Sequence, residues 1–227
     1  MLAYYGFDNE AAAPDKLLND AAVTKGQSDG VLEGATWDDG RFAAKRALRF
    51  DGNARVHFNV PEKIKSMTVA AWVNFDSFVE PPSPRDHQFT GIMLSDGSRK
   101  SAVHWQIMDG HRMEFAVGVN DDDPVAFERY RTQNVITPEY IGKWTMLAVV
   151  FDRENSQVRH YINGKQMNIS PIISAPDPVI GNAQLGNWDQ VGAHYRGMTG
   201  RIDELAIVGR AMSRQEIEAM YAAGGGN

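Results

Sequence analysis

The sequence has no cysteine among its 227 residues. This absence excludes a disulfide framework, a thiol nucleophile and a zinc–thiolate site. Stability must then come from side-chain packing, or from a hard metal ion held by oxygen ligands. The absence of cysteine does not fix the compartment in which the protein works.

The sequence also lacks clustered basic residues and long apolar runs. Its 23 Lys and Arg against 29 Asp and Glu give a formal charge of -6, which argues against a nucleic-acid partner because phosphate binding depends on clustered cations. No stretch reaches the length of a membrane span, so we expect no membrane insertion by this chain. Met1–Phe7 lacks the basic start and apolar stretch of a signal peptide and is predicted to form a first strand. A strand so near Met1 and a final glycine run suggest a piece excised from a longer protein.

Motifs that carry catalysis are missing as well. No Glu is followed two positions later by Asp, as in glycoside hydrolases that place alternating carboxylates on one strand. A Gly-x-Ser-x-Gly pattern occurs at residues 26–30, but it lies in a turn-rich loop and lacks the strand-to-helix context of a nucleophile elbow, and there is no His-Glu-x-x-His helix. The histidines are scattered, at positions 57, 87, 104, 111, 160 and 194. We therefore predict that the protein is not an enzyme, although spacing alone leaves open a lyase built on scattered Tyr, His and Arg.

What the sequence does have is a clear β-hairpin from Trp144 to Gln166. Residues 144–151 are apolar at both alternating sets of positions, which is typical of a central strand covered on both faces. Residues 158–162 alternate along the return strand, and Asn163-Gly164 predicts a tight type I′ turn. Further strands are predicted from 67 to 75, 102 to 108, 113 to 119 and 201 to 208.

Only one helix is predicted, at the C-terminus. Ser213 and Glu216 have the spacing of a capping box, in which each side chain accepts a hydrogen bond from the other residue's backbone N–H. Ile217, Met220 and Tyr221 follow on one face. A short helix of this kind usually packs on the sandwich as a closing element.

Several segments together resemble the laminin G-like, pentraxin-related domain. The matching segments are Phe7-Asp8, 47–52, 67–73, 144–152 with 161–164, and 200–205 with 213–217. The resemblance covers nearly the whole chain and implies an all-β fold, the concanavalin A-like jelly-roll sandwich of two antiparallel sheets with a short C-terminal helix. We expect one such domain over residues 1–227, and the resemblance places the parent protein outside the cytoplasm, in the periplasm, at the cell surface or secreted.

The resemblance also implies a structural calcium ion. In such jelly rolls an ion near the edge is held by a residue of the N-terminal strand, a carbonyl after the Phe-Asp-Gly strand and an Asp of the last strand. The matching positions are Asp8, Gly52 and Asp203, with Asp20 as a weaker alternative. The competing interpretation is that Asp203 accepts hydrogen bonds from the backbone or from an arginine.

A ligand surface is the second candidate site. Sugar binding combines aromatic faces with planar amides and carboxylates, and the residues that supply these are His104, Trp105, Gln106, Asp121, Asp123, Trp188, Asp189 and Tyr195. The alternative is that both tryptophans are packed and the aspartates are merely solvated. We predict a non-catalytic module that binds a polysaccharide or another glycan. The alternatives are a protein-interaction or spacer module and, less favoured, a polysaccharide lyase or hydrolase.

Overall fold

The computed structural model describes residues 1–78, 89–97, 99–109, 111–123, 126–188 and 196–225. Within them lie sixteen strands, a 3-10 helix at Pro138–Tyr140 and one α-helix, α1, at Arg214–Ala223. The strands are β1 Ala3–Tyr5, β2 Lys16–Leu17, β3 Gly30–Glu33, β4 Thr36–Asp39, β5 Arg46–Asp51, β6 Arg55–Lys63, β7 Met67–Phe75, β8 Phe89–Ser95, β9 Val103–Met108, β10 Arg112–Gly118, β11 Phe127–Arg131, β12 Thr145–Asp152, β13 Gln157–Ile162, β14 Lys165–Pro171, β15 Val179–Leu185 and β16 Thr199–Val208.

The strands form two eight-stranded antiparallel sheets. Sheet 1 has the order β14-β13-β12-β7-β16-β5-β4, with β1 also paired to β16, and sheet 2 has the order β11-β10-β9-β8-β15-β6-β3-β2. Strands far apart in sequence, such as β7 and β16 or β8 and β15, are neighbours. The predicted concanavalin A-like sandwich is therefore confirmed. Within the part of the chain described, α1 is too short and too polar to cross a membrane.

The two sheets enclose one apolar core, and the centre of sheet 1 is buried on its other side too. Along β7 and β12 every residue is buried. Val69 and Val149 belong to the core between the sheets, whereas Trp72 and Met146 belong to a second cluster beneath α1. Helix α1 therefore covers the outer face of sheet 1, as a closing element should.

The local signals for the hairpin and the helix are confirmed. Asn163 and Gly164 have φ angles of 50° and 76°, the left-handed pair that a type I′ turn requires, and they connect β13 to β14. The Ser213 hydroxyl accepts the Glu216 N–H at 3.2 Å, and the Glu216 carboxylate accepts the Ser213 N–H at 2.8 Å. Both orphan donors of the first turn are thus satisfied.

Three strands were not expected from the sequence: β2, β11 and β14. Strand β11 reads Phe-Glu-Arg-Tyr-Arg and β14 reads Lys-Gln-Met-Asn-Ile-Ser-Pro, and neither has the apolar alternation of a half-buried strand. Both lie at sheet edges. Edge strands are stabilised by ladder hydrogen bonds to one neighbour and need less apolar surface.

A single carboxylate joins the edges of the two sheets. Glu128 of β11 accepts the backbone N–H groups of Ile173, Ser174 and Ala175 at 2.6–2.7 Å, and the Tyr130 hydroxyl at 2.8 Å. Burial opposes ionisation of Glu128, but these hydrogen bonds outweigh it and lower the pKa of the carboxyl group. The segment after β14 of sheet 1 is thereby fixed to β11 of sheet 2.

A histidine lies in the core between the sheets. His160 lies on the same face of β13 as the core residues Val158 and Ile162, two positions from each, and is fully buried. Among the described residues, neither ring nitrogen has a hydrogen-bond partner. Burial alone lowers the pKa of His160 from 6.5 to about 3, so the ring is neutral in the folded protein at neutral pH.

Replacing this histidine should change how stability depends on pH. His160 binds a proton near pH 6.5 in the unfolded chain but only near pH 3 in the folded chain. The free energy of unfolding is therefore highest above pH 6.5 and decreases as the pH falls below it. The loss is about 1.4 kcal/mol per pH unit for such a group. In urea unfolding between pH 6.5 and 4.5, His160→Leu should flatten the slope by about that amount. Val158→Ala, a core substitution on the same strand that removes no titrating group, is the control and should retain the wild-type slope. An unchanged slope in His160→Leu would contradict the prediction.

Candidate functional site

The outer face of sheet 2 carries polar side chains that are buried. Along β9, Val103, Trp105 and Ile107 point into the core between the sheets, so His104 and Gln106 lie on the opposite face. The register places Gln106 opposite Glu114 of β10, and Glu114 opposite Arg131 of β11. Although they lie on the outer face, His104, Gln106 and Glu114 have at most 2% of their surface exposed.

Glu114 is the centre of this arrangement. Its side chain is completely buried and its carboxylate accepts hydrogen bonds from Gln106 Nε2 at 2.7 Å, Arg129 Nη1 at 3.1 Å and Arg131 Nε at 2.5 Å. A buried carboxylate requires such partners because an unpaired charge is costly away from water. The two arginines keep 30% and 37% of their side-chain surface exposed, so they form the rim.

Arg196 reaches the same face from the segment before β16. The Gly91 N–H donates to the Arg196 carbonyl at 2.8 Å, and the Met198 N–H donates to the Gly186 carbonyl at 2.7 Å. A β-carbon at position 91 would lie 2.9 Å from that Arg196 oxygen. The glycine in β8 is therefore what allows the segment to lie directly on the sheet.

The guanidinium group of Arg196 is held by neutral partners and aromatic rings. Its Nη1 donates to His104 Nδ1 at 3.1 Å and to Gln106 Oε1 at 3.2 Å. It lies over the ring of Trp188, 4.3 Å from the centroid, and over that of Phe89 at 4.8 Å. Stacking of this kind orients a guanidinium group while leaving its edge available.

His104 is neutral in this environment. Burial is the main cause that lowers its pKa to about 3, and the charges of Arg196 and Arg129 act in the same direction. Its ring also lies 4.7 Å from the ring of Phe127 and 4.9 Å from that of Trp188. We call His104, Gln106, Glu114, Arg129, Arg131 and Arg196 the polar cluster, with Phe89, Phe127 and Trp188 as its aromatic rim.

A second polar region lies on sheet 2 beyond β8. An open pocket there is lined by Asp29, His57, Asn59, Asp96 and Asn182, among others. Asn59 Nδ2 donates to Asn182 Oδ1 at 2.5 Å, and Gln184 connects this region towards the polar cluster by donating to Asp96 at 2.9 Å. Amides and carboxylates of this kind suit the hydroxyl groups of a sugar.

The predicted ligand residues do not all come together. His104 and Gln106 belong to the polar cluster and Trp188 to its aromatic rim. Trp105 has no exposed surface and packs in the core, so the prediction that it contacts a ligand was wrong, because consecutive strand residues face opposite sides. Asp121 and Asp123 lie in the exposed β10–β11 connection, where Asp121 accepts the Lys100 N–H at 3.0 Å. Asp189 and Tyr195 lie outside the described residues.

Of the predicted calcium ligands, Asp8 and Asp203 both lie beside Lys45, whereas Gly52 lies apart from them. The Asp203 carboxylate is fully buried and pairs with Arg41 Nε at 3.0 Å, and Lys45 Nζ lies 3.7 Å away. Lys45 also pairs with Asp8 at 2.8 Å. The β5–β16 register pairs Asp51 with Thr199, which puts Gly52 roughly 16 Å along the strand from Asp203.

These positions do not fit a calcium site as the chain is arranged. The oxygens of Asp203 face two cationic side chains, and within the described ranges no three His, Asp or Glu side chains are placed to hold a metal ion. Burial raises the pKa of Asp203, and the charges of Arg41 and Lys45 offset this only in part. Calcium binding itself stays a prediction.

Sequence reasoning missed four members of the polar cluster: Glu114, Arg129, Arg131 and Arg196. Glu114 had a readable signal, since it is the one polar residue in the apolar run from Met113 to Val117. The three arginines had no such signal in the sequence. Their approach depends on pairing between β10 and β11 and on how the segment before β16 crosses the sheet, which are not local properties of the sequence.

Comparison with protein families identifies the class. A family model described as the concanavalin A-like lectin/glucanases superfamily matches residues 50–218, which is 169 of the 227 residues. The chain therefore belongs to this laminin G-like family of concanavalin A-like domains, as its sequence segments predicted. None of the curated proteins compared with the chain matches it significantly.

Solved structures share the fold at low sequence identity. Domain 4 of AbnA, an extracellular GH43 arabinanase from Geobacillus stearothermophilus solved in complex with arabinotriose, has a TM-score of 0.69 and 19% identity over 97% of each chain. The botulinum neurotoxin serotype G binding domain has a TM-score of 0.70 and 12% identity over 98% of this chain and 51% of its own. The serotype C/D mosaic receptor-binding domain gives the same values. The chain spans about half of the toxin domains.

The role of Asp203 can be tested by removing its carboxylate. Asp203→Ala leaves Arg41 buried with one partner fewer, and we expect a loss of about 3 kcal/mol of unfolding free energy. The double variant Arg41→Met/Asp203→Leu should recover part of this loss, because no charge of that pair then stays buried. Urea unfolding measures both.

The same experiment in calcium and in chelator tests the metal prediction. With Asp203 held by Arg41 and Lys45, the wild-type midpoint should be the same in both buffers. A calcium-dependent rise of the wild-type midpoint that Asp203→Ala abolishes would instead establish the ion.

Proposed function

We propose that the protein is a carbohydrate-binding module whose binding surface is the outer face of sheet 2. The observation that carries the proposal is the polar cluster, where His104, Gln106 and Glu114 are buried on a face that the other sheet does not cover. Three aromatic rings lie beside them, of which Phe127 is partly exposed and Phe89 and Trp188 are buried. This combination of ring faces and planar polar groups is what sugar recognition uses.

The arrangement of this face supports binding more than catalysis. The Glu114 carboxylate is enclosed by Gln106 and two arginines and has no exposed surface, so it is not placed to exchange a proton with a bound glycoside. Acid–base hydrolysis of a glycoside needs two carboxyl groups facing one bond. Glu114 is the one carboxylate in the polar cluster, and its oxygens accept from three neighbouring side chains.

The comparisons support the proposal at the level of the fold. The arabinanase domain was solved with an oligosaccharide, and the toxin domains are named for binding. We extend to this chain only the idea that such a sandwich presents a ligand surface. We also propose an extracytoplasmic location, since the arabinanase is extracellular.

A protein-interaction or spacer module is the second candidate. Strand β14 lies at the edge of sheet 1, and Ile169 within it and Ile173 just after it are 53% and 79% exposed. An edge strand with exposed apolar side chains can pair with a partner chain. Ile169 and Ile173 are not members of the polar cluster, so the two candidates are separable by mutation.

Isothermal titration against a panel of soluble oligosaccharides and polysaccharides, arabinotriose among them, tests the proposal. We expect saturable binding that is weakened about tenfold by Phe127→Ala, since an aromatic platform for a sugar contributes on the order of 1 kcal/mol or more. Phe42→Ala removes a more exposed aromatic ring from the helix side of the molecule and should leave the affinity unchanged.

Two results would contradict the proposal. One is the absence of binding to every member of the panel by a protein that melts cooperatively. The other is equal weakening by Phe127→Ala and Phe42→Ala, which would place the ligand elsewhere. Loss of a partner protein on Ile169→Asp would favour the second candidate.

A further inference from the structure

The polar cluster has more positive than negative charge. Arg129, Arg131 and Arg196 each contribute a cation, and Glu114 is the one anion among its six members. His104 contributes no charge, because its Nδ1 accepts a hydrogen bond from Arg196 and must therefore carry a lone pair. The sum is a charge of +2 on one side of a protein whose total formal charge is -6.

Arg196 is the least compensated of the three cations. Among the described residues no carboxylate lies within ion-pair distance of its guanidinium group, and both recorded acceptors, His104 and Gln106, are neutral. Its Nε has no hydrogen-bond partner there. Burial, with a contribution from Arg129, lowers the pKa of Arg196 to about 10, so the group remains charged at neutral pH but in an unfavourable environment.

The other two arginines share one counter-ion. Arg129 and Arg131 both pair with Glu114, through one nitrogen each. About a third of each side chain is exposed, whereas Glu114 is not exposed at all. A guanidinium group has five N–H donors in a planar fork. The remaining donors of both groups are therefore available at the rim.

We infer that the polar cluster binds an anionic saccharide, and that Arg129, Arg131 and Arg196 receive its carboxylate or sulfate group. The inference depends on the proposed function and specifies its ligand. A singly charged anion placed between the three guanidiniums would lower the charge of the site from +2 to +1 and would supply Arg196 with a counter-ion, since its two acceptors in the cluster are both neutral. Planar guanidinium groups bind such oxyanions in bidentate geometry, and Phe127, the partly exposed ring of the aromatic rim, would pack against the sugar ring.

The sharpest test uses two ligands that differ only in charge. Polygalacturonate and its fully methyl-esterified form have the same sugar units and linkages, but only the first carries carboxylates. Titration at 50 mM and 500 mM salt should show binding of the acidic polymer that weakens as salt rises. The ester should bind at least about tenfold more weakly. Dextran sulfate and dextran form a second matched pair that distinguishes sulfate from carboxylate recognition.

Substitutions inside and outside the polar cluster test whether the cluster is the binding site. Arg131→Gln removes one rim cation while Arg129 and Gln106 still hold Glu114, and it should weaken binding of the acidic polymer about tenfold and reduce the salt dependence. Arg131→Lys keeps the charge but loses the planar fork, so it should recover only part of the affinity. Arg214→Gln, on the exposed face of α1 with 62% of the side chain exposed, is the matched control and should bind like wild type.

Arg196→Gln should abolish preference for the acidic polymer, and its melting temperature checks that the fold is retained. Equal binding of the acid and ester forms would overturn this inference while leaving the proposed carbohydrate function in place. Binding to neither pair, nor to any neutral glycan, would overturn both. If the protein prefers dextran sulfate to dextran but does not distinguish the two forms of polygalacturonate, the inference is supported and sulfate is the group recognised. An Arg131→Gln variant indistinguishable from Arg214→Gln would place the anion outside the cluster.

Discussion

The need to satisfy the buried carboxylate of Glu114 determines much of what surrounds it. A charged group with no exposed surface must find strong hydrogen bonds within the protein, and here it finds them on the two neighbouring strands. Gln106 comes from β9, and Arg129 and Arg131 come from β11. Because these three side chains donate to the same carboxylate, β9, β10 and β11 present a fixed set of donors on one face. Gln106, held in this way, is in turn positioned to accept from Arg196.

The two faces of sheet 2 are therefore stabilised by different interactions. The inner face is apolar and is held by burial against sheet 1. The outer face depends on directional hydrogen bonds and on stacking of Arg196 against Trp188. Sheet 1 is different, because the outer side of its central strands is covered by α1 and is apolar as well. Sheet 2 therefore has a polar outer face that can meet a ligand, whereas the outer side of the centre of sheet 1 is apolar and covered by α1.

The sequence was sufficient to predict the fold where local signals were strong. The apolar run of 67–75, the Asn163-Gly164 turn and the Ser213 capping box each identify their own structure, because periodicity, left-handed dihedrals and cap spacing are local properties. The edge strands β11 and β14 could not be predicted, since their stability comes from neighbours that are distant in sequence. The membership of the polar cluster, which is a candidate site, was predicted only in part. His104 and Gln106 were identified by residue type, but Trp105 between them should have been assigned to the opposite face by strand alternation alone. Arg196 could be placed only by the folded chain.

The carboxylate of Glu128 gives β11 an additional property. One side of this strand is fixed by the pairing of Arg129 and Arg131 with Glu114, and the other by Glu128, whose hydrogen bonds reach the edge of the opposite sheet. An edge strand is ordinarily the most mobile part of a sheet, yet this one is clamped from both sides. A ligand that meets Arg129 and Arg131 therefore encounters guanidinium groups on a rigid support, and little conformational entropy is left for binding to remove.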